Sequence, residues 1–272
     1  MLVGTPIGNL GDLSPRAVEA LKTADTIACE DTRRTRALLS HLGLPAGSRL
    51  LAVHDHNEAV RVSDVLARLD NGQRVVVVTD AGMPGISDPG ERLVAAAAAA
   101  GYPVEVVPGP SAMIAALVVS GLPTGRFVFE GFLPRKGSAR AERLRQIAGD
   151  TRTTILFEAP HRVSQTVTDL GHAAGPLRRV ALVRELTKMH EEVWRGTLGG
   201  AAEHLETKEP RGEYVVVLDG APPAPPAGED DIEAALRARL EAGVDKKTAI
   251  AEVAAVLGVS KRVVYEIALN IS

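Results

Sequence analysis

The chain has 272 residues, of which 45% are hydrophobic and 24% charged, and its formal net charge is −3. This balance is typical of a globular protein of one large or two ordinary domains, and it argues against a generic binder of polyanions. No apolar run approaches the roughly 20 residues that span a bilayer. The single cysteine, Cys29, cannot form an internal disulfide, so we expect a cytoplasmic protein in which Cys29 fills the core.

Strands and helices alternate over residues 1–120, the predicted first lobe. Short apolar runs predict strands at 2–3, 26–29, 50–54, 75–79 and 103–107. Helices are predicted after them at 15–21, 32–42, 57–69, 91–100 and 111–119, capped in three cases by Ser14, Asn57 and Ser111. Strands that alternate with helices build parallel or mostly parallel sheets covered on both faces, so this lobe is predicted to be α/β.

A Gly-Leu-Pro-Thr-Gly segment at 121–125 interrupts the alternation and is the predicted start of a second α/β lobe, 121–220. Its elements are predicted strands at 127–129, 154–157 and 180–183, helices at 139–147 and 161–173, and antiparallel strands at 192–197 and 213–219 around a short helix near 201–205. A cleft between two such lobes is a common place for a substrate.

The Pro-rich segment 221–229 is predicted to be a stiff linker to a small helical domain, 230–272. In that domain, predicted helices 246–257 and 261–270 flank a short turn at 258–260, which is the helix-turn-helix pattern. Either a nucleic-acid-binding module or an appendage that packs on the body or on a second subunit fits this pattern.

Two loops rich in glycine and proline follow strands of the first lobe. One covers 80–90 and the other 108–111. Ligands of open α/β sheets bind at the carboxyl ends of the strands, and glycine lets them approach the main chain, so a small-molecule site is predicted at this edge. No Gly-x-Gly-x-x-Gly follows a strand and no Gly-Lys-Ser/Thr loop occurs, which argues against the usual dinucleotide and phosphate sites. His54 and His56 have no third ligand at metal spacing, so no metal is predicted.

Basic residues cluster at 33–36, 135–145 and 246–262 on this mildly acidic chain. Such local patches fit the recognition of nucleic acid at a defined place. Each cluster alone fits a solvated helix face equally well.

Eight short motifs occur in order between residue 2 and about residue 219. They lie at 4–12, 29–33, 54–57, 80–90, 108–111, 129–134, 158–162 and 184–188. Together they resemble the small-subunit ribosomal RNA 2′-O-methyltransferase I group of the tetrapyrrole-methylase superfamily, and the C-terminal helices also look like that group's tail. Cys29 and Met83 are ordinary variations inside matching motifs.

The resemblance implies a fold of two α/β lobes with a donor-binding cleft between them. It also implies S-adenosylmethionine as methyl donor, a cytidine ribose of small-subunit (16S) ribosomal RNA, free or in the 30S particle, as acceptor, and a homodimer. Loop amides favour the donor's carboxylate and loop carbonyls can face its sulfonium. Donor contacts are therefore expected from Pro6, Ile7, Gly82, Met83, Ile86, Ser111, Ala112 and Phe157. Core packing fits Ile86, Ala112 and Phe157 equally.

Transfer to a weakly acidic ribose hydroxyl would be helped by a nearby carboxylate or neutral lysine. Candidates at predicted strand ends are Glu30, Asp31, Glu158, Glu185 and Lys188. Glu185 with Lys188 is the preferred pair, and a salt-bridged hinge between lobes is the alternative role. Contacts with RNA phosphates are expected from Arg33, Arg135, Lys136 and Arg162.

Two other functions fit parts of the pattern. A methyltransferase for a tetrapyrrole carbon, as in corrin or sirohaem synthesis, would share the loops and the fold, although the basic clusters argue against it. A non-enzymatic ligand sensor with DNA-binding C-terminal helices is the second alternative, and it predicts duplex binding by residues 230–272 alone.

Overall fold

The structure is a computed structural model that describes residues 1–54, 56–222 and 227–271. Its first sheet consists of five parallel strands in the order β3-β2-β4-β1-β5. The strands are β1 (Leu2–Val3), β2 (Thr26–Cys29), β3 (Leu50–Ala52), β4 (Val75–Val78) and β5 (Val106–Val107), and the helices are α1 (Pro15–Thr23), α2 (Thr32–His41), α3 (Glu58–Asp70), α4 (Glu91–Ala99) and α5 (Ala112–Ser120). The predicted parallel α/β arrangement is confirmed.

Side-chain alternation along β4 explains why this sheet is covered on both faces. Val76 and Val78 pack with helices α1 and α2, whereas Val75 and Val77 pack with α3 and α4. All four valines are buried, as expected for a central strand between two helical layers. Cys29 is buried in the α1–α2 core, and burial raises the pKa of its thiol, in agreement with an inert core residue.

Three local predictions need correction. The strand predicted at 103–107 is paired only over Val106–Val107, because it is the sheet edge. Ser14 caps α1 as predicted, but neither Asn57 nor Ser111 makes a side-chain capping bond. The Asn57 side chain instead accepts a hydrogen bond from the backbone N–H of His54 at 2.9 Å.

The second sheet is mixed, with strand order β6-β7-β10-β8-β9. β6 and β7 are parallel, and the other pairs are antiparallel. The strands are β6 (Phe127–Phe132), β7 (Thr153–Glu158), β8 (Arg179–Arg184), β9 (Glu192–Thr197) and β10 (Tyr214–Leu218), and the helices are α6 (Ser138–Gly149), α7 (Pro160–Ala174) and α8 (Leu198–Thr207).

Helix α5 contributes to the core of the second sheet although it precedes that sheet in the chain. Its Ala116 and Leu117 pack with Ile155, Val183 and other inward side chains of β7, β8 and β10. The opposite face of the sheet is covered by α6, α7 and α8. The two sheets therefore belong to one unit, Met1–Ala221, joined by α5.

A second unit covers Pro222–Ser272, and residues 223–226 of the predicted linker lie outside the described residues. It consists of α9 (Glu229–Glu241), α10 (Lys246–Leu257) and α11 (Lys261–Ala268) around its own apolar core, which includes Leu236, Val253 and Val264. Gly258, at φ +65°, ends α10, and Ser260 caps α11, so the predicted turn between these helices is present. None of the described helices is long and apolar enough to cross a membrane.

Candidate active site

A cleft of about 390 Å³ lies between the lobes of the larger unit, and we call it the first cleft. One wall consists of the loop at 81–88 and the start of α5, both at the carboxyl edge of the parallel sheet. The other wall consists of side chains around the ends of β6, β7, β8 and β10. Most of the lining is apolar, which suits an organic ligand with few polar groups.

The loops that follow β1 and β5 are in direct backbone contact with each other. A Cβ atom placed on Gly4 would lie 2.6 Å from the Cα atom of Gly109, and one on Gly109 would lie 2.8 Å from the Cα atom of Gly4. Real Cβ contacts do not reach such distances, so any side chain at either position would push the loops apart. Glycine is needed here for close approach of main chain to main chain.

The loop at 80–90 is held by long-range hydrogen bonds. Gly82 pairs with Thr5 in an isolated bridge, at a φ of +82° that favours glycine. At the other end, the buried carboxylate of Glu58 accepts hydrogen bonds from the backbone N–H groups of Gly90, Arg92 and Leu93 at 2.9, 3.1 and 3.3 Å. Glu58 thus caps the start of α4, a function that Gly90 cannot perform for lack of a side chain.

Seven of the eight residues expected to contact a donor line the first cleft, whereas Pro6 lines a neighbouring one. The seven are Ile7, Gly82, Met83, Ile86, Ser111, Ala112 and Phe157. The Phe157 ring meets the rings of Phe129 and Phe132 edge-on, with centroids 4.9 and 5.8 Å apart. Phe132 also lines the cleft and is 55% exposed, yet it was not among the sequence candidates.

A second cleft of about 370 Å³ adjoins the first. It lies between the loop after β1, one side of α2 and the carboxyl end of β4. Both clefts share the wall residues Ile7, Ala81, Lys188 and Glu213. The two cavities are therefore neighbours with a common boundary, and a lysine and a glutamate lie on it.

Lys188 holds two carboxylates at this boundary. Its Nζ donates to Glu185 Oε1 at 2.9 Å and to Glu213 Oε2 at 2.7 Å. Burial opposes the charge on Lys188, but the hydrogen bonds to Glu213 and Glu185 outweigh it and raise the pKa of the ammonium. Burial would also raise the pKa of Glu185, yet the bonds from Lys188 and from the Glu213 backbone N–H outweigh it and lower this pKa. Both groups are charged at neutral pH, which argues against a neutral lysine as proton acceptor.

The backbone around this pair is strained. Glu185 has a φ of +49° and Thr187 a φ of +65°, a region that non-glycine residues rarely adopt and that costs about 1–3 kcal/mol each. Two glycines make room for the pair: a Cβ on Gly212 would lie 2.4 Å from Glu185 Cδ, and one on Gly8 would lie 2.5 Å from Lys188 Cγ. The position of the Lys188 side chain is therefore specified from three segments of the chain.

The remaining predicted proton acceptors fit the role less well. Glu158 borders the first cleft, but its side chain is fully buried and accepts hydrogen bonds from Thr166 and the Ala159 N–H, and it pairs with Arg162. Arg33 hydrogen-bonds the carboxylate of Asp31 and lowers its pKa to about 2, which makes Asp31 a weak base. Neither Asp31 nor Glu30 lines either cleft.

The predicted RNA contacts differ in accessibility. Arg33, Arg135 and Lys136 are exposed. Arg162 is directed inward, because it pairs with Glu158 at 3.3 Å and donates to the Leu133 carbonyl at 2.7 Å. The expectation that Arg162 contacts RNA phosphates is therefore corrected: its guanidinium links β6, β7 and α7.

Glu213, Phe132, Arg34 and Asp80 border the clefts and were not singled out from the sequence. Glu213 directly precedes β10, whose pairing with β8 brings it beside Lys188. Asp80 and Phe132 lay within recognised motifs, at 80–90 and 129–134. Among the described residues, no group of three or more His, Cys, Asp or Glu side chains is arranged to hold a metal.

A family model described as Tetrapyrrole (Corrin/Porphyrin) Methylases matches residues 1–202. The chain belongs to this family. Methyltransferases of the family use S-adenosylmethionine.

Curated relatives named ribosomal RNA small subunit methyltransferase I share much of the sequence, and the chain belongs to their group. The protein of Synechocystis sp. is 45% identical over 272 residues, covering 99% of this chain and 97% of the relative. The protein of Mycobacterium tuberculosis is 46% identical over 271 residues, covering 99% and 94%. The Thermotoga maritima protein is 44% identical over 220 residues, covering 81% and 97%.

Solved structures show the same fold at low sequence identity. The methyltransferase CobJ aligns with a TM-score of 0.61 at 22% identity, over 81% of this chain and 93% of its own. Uroporphyrin-III C-methyltransferase from Thermus thermophilus, complexed with S-adenosylhomocysteine, aligns with a TM-score of 0.55 at 24% identity, over 80% and 95%. The expected fold of two α/β lobes is thereby confirmed.

The residues of the first cleft fit the family's methyl donor. The cleft offers apolar walls, an exposed aromatic ring in Phe132, and the main chain of Gly82 in its lining. The start of α5, which borders the cleft at Ala112, provides N–H groups for a carboxylate. The charged residues among those that line it are Asp88, Glu158, Lys188 and Glu213.

Proposed function

We propose that the chain transfers a methyl group from S-adenosylmethionine to the ribose 2′-oxygen of a cytidine in small-subunit ribosomal RNA. The observation that supports it best is the shared wall of the two clefts, where Lys188 borders both an apolar donor-sized cavity and a second cavity. The names of the relatives, at 43–50% identity, support ribosomal RNA as the substrate. With ribosomal RNA as substrate, the reaction takes place in the cytoplasm.

The donor occupies the first cleft in this proposal. Its main-chain contacts come from the loops that carry Gly82 and Ser111, and its apolar contacts come from Ile7, Met83, Ile86, Ala112 and Phe157. Pro6 acts behind Ile7, on the side of the second cleft. When bound, S-adenosylmethionine supplies an electrophilic methyl group on a sulfonium sulfur. The rigid loops hold one reactant so that the acceptor oxygen can approach in line.

Lys188 acts on the acceptor side. Its ammonium lies on the wall common to both clefts and is held there by Glu185 and Glu213. An ammonium in this position orients the ribose oxygen and stabilises the negative charge that develops as its proton leaves. Lys188 is thus a catalytic residue in this proposal, and Glu185, which lines neither cleft, is a positioning residue that fixes it.

Glu213 receives the proton of the ribose hydroxyl. Its side chain is 81% exposed and borders both clefts, unlike the fully buried Glu158. Proton transfer to a positioned carboxylate is worth about 10²- to 10⁴-fold in rate. Asp31 and Glu30 remain at the rim of the loop after β2, where with Arg33 they would meet RNA outside the clefts.

Exposed Arg33, Arg135 and Lys136 contact RNA phosphates outside the clefts. We further propose that the chain acts as a homodimer. The boundary between the lobes lies at 121–125 in this proposal, and the segment 221–229 leads to the helical domain. That domain docks on the ribosomal particle. The resemblance and the exposed basic side chains support these proposals.

The test is incubation of the full chain with labelled S-adenosylmethionine and small-subunit particles, followed by digestion and nucleoside mapping. Label on a cytidine ribose oxygen is the expected result, and Lys188→Met should abolish it while Lys22→Met, an exposed lysine paired with Glu19, should not. Label on a base atom, or on a tetrapyrrole carbon when such a compound is offered instead, would overturn the proposal.

A further inference from the structure

The second cleft has a polar end that the proposed donor site does not use. Asp80, in the loop after β4, and Arg34, in α2, border it, and His41 lies about two helical turns farther along α2. Away from this end the cleft is lined by apolar side chains, among them Leu10, Leu38, Pro6 and Ile7, and by Lys188 and Glu213 at the wall shared with the first cleft. A cavity of about 370 Å³ with apolar sides and polar groups at its ends suits a single flat heterocycle with hydrogen-bonding edges.

The Asp80 carboxylate is fixed by two contacts and can accept further hydrogen bonds. Its Oδ1 accepts the backbone N–H of Asp31 at 3.1 Å, and its Oδ2 lies 3.4 Å from Arg34 Nε. A carboxylate offers about four lone-pair positions, so these two contacts leave others that can face the cleft. Its side chain is 20% exposed, whereas that of Arg34 is 68% exposed. Asp80 is therefore a fixed acceptor and Arg34 an exposed cation.

The hydroxyl groups of Thr5 and Thr79, which lie near Asp80, already donate to main-chain carbonyls. Thr5 donates to the Thr79 carbonyl at 3.2 Å, and Thr79 donates to the Ala81 carbonyl at 3.3 Å. Both hydroxyls line the cleft but are engaged by the main chain. The polar end thus presents a fixed anionic acceptor in Asp80 beside an exposed cation in Arg34, and at the Asp80 position a ligand edge that donates hydrogen bonds is favoured over one that accepts them.

We infer that the second cleft receives the base of the acceptor nucleotide and that Asp80 accepts a hydrogen bond from its exocyclic amine. This rests on the proposed function, and it assigns the choice of cytosine over uracil to Asp80. A carboxylate accepts a hydrogen bond from the cytosine N4 amine. The O4 oxygen of uracil is itself an acceptor, so it would repel the carboxylate instead of bonding to it. With the base in this cleft, the attached ribose reaches Lys188 at the shared wall.

The inference is tested with Asp80→Asn, which keeps an oxygen for the Asp31 N–H while replacing the anion by an amide. Asp64→Asn, an exposed carboxylate paired with Arg61, is the matched control. Particles reconstituted with cytidine or uridine at the mapped target position are compared as substrates. Wild type should prefer cytidine, and Asp80→Asn should lower that preference roughly ten- to hundredfold. S-adenosylhomocysteine binding and the melting temperature should stay unchanged.

A second measurement is independent of methyl transfer. Binding of cytidine 5′-monophosphate and uridine 5′-monophosphate is measured on the full chain saturated with S-adenosylhomocysteine. The cytidine nucleotide should bind more tightly to wild type and to Asp64→Asn, and Asp80→Asn should remove the difference.

The outcomes separate the two proposals. Wild-type methylation of cytidine, with an unchanged cytidine-to-uridine ratio in Asp80→Asn, would overturn the inference alone. Absence of methyl transfer to any RNA by wild type would overturn the proposed function, and the inference with it. Equal loss of activity on both substrates would assign Asp80 to loop structure and overturn its role in base selection.

Discussion

Glu58 accepts a hydrogen bond from the backbone N–H of Gly90 at 2.9 Å, and so a residue of α3 caps the start of α4. The same oxygen accepts from Arg92 and Leu93, and Glu58 is only 5% exposed. Since Gly90 ends the loop that lines the first cleft, this carboxylate fixes one end of the proposed donor site.

Replacing Glu58 by Ala should therefore weaken donor binding as well as the fold. Three N–H groups would lose their acceptor, a change that costs about 1–3 kcal/mol of unfolding free energy. We expect S-adenosylmethionine affinity to fall about tenfold or more by calorimetry. Glu19→Ala, at an exposed site, is the control. Donor affinity equal to that of wild type would contradict a role for Glu58 in holding the loop.

Gly109→Ala should separate the two backbones that meet at Gly4. The added methyl group would lie 2.8 Å from Gly4 main-chain carbons, so one loop must move. We expect a loss of about 1–3 kcal/mol in unfolding free energy and a marked fall in donor affinity. Gly125→Ala, which has no atom within 4 Å of the new Cβ, should change neither quantity. Denaturant titration and donor binding measure both effects.

The pH profile should report the charged state of Lys188 and Glu185. The pKa of Lys188 is raised above 10.5, so its pairing is complete below that value and is lost only as the pH rises through the raised pKa. The pKa of Glu185 is lowered below 4.5, so its contribution is complete above that value and is lost as the pH falls through the lowered pKa. Single-turnover rates should show no inflection from either group between about pH 5 and 10. An inflection in that range that disappears in Glu185→Gln would refute this assignment.

Salt dependence should identify the phosphate contacts. Each lost contact reduces the slope of log affinity against log salt by about 1. Replacing both Arg135 and Lys136 by Ala should lower the slope by about 2, since both side chains are exposed. Arg61→Ala, whose side chain pairs with Asp64, should leave it unchanged. Filter binding of small-subunit RNA at several salt concentrations gives the slopes, and equal slopes for all three proteins would remove these residues from the interface.

Removal of residues 222–272 should lower affinity for the ribosomal particle and leave donor binding intact. The core of this unit is built from its own residues, such as Leu236, Val253 and Val264, and both clefts are lined by residues of the larger unit. Particle sedimentation and donor calorimetry on the truncated chain measure the two properties. Loss of donor binding would contradict this prediction, because it would show that the larger unit needs the helical unit to bind the donor. A gel shift with residues 230–272 tests the DNA-binding alternative.

Much of the fold could be predicted because its signals are local. The four valines of β4 identify the central strand, and the glycine- and proline-rich loops after β4 and β5 mark the edge where the first cleft lies. The length of β5 was overestimated because an apolar run at a sheet edge does not reveal how much of it is paired.

The parts of the site that were missed depend on contacts between distant segments. Glu213 reaches Lys188 only because β10 pairs with β8, with Tyr214 opposite Arg184. Arg162 looks like a free cation in sequence, and its partner Glu158 is four positions earlier in a motif that was interpreted as catalytic. Residue type alone does not tell a structural ion pair from a reactive one, whereas burial and hydrogen bonds do.

The backbone contact between Gly4 and Gly109 also limits how the region of the first cleft can be altered. Because main chain touches main chain there, a side chain on either glycine would displace a whole loop. Engineering of the cavity toward bulkier cosubstrates must therefore keep both glycines and shorten side chains that line the cavity, such as Phe132 and Phe157.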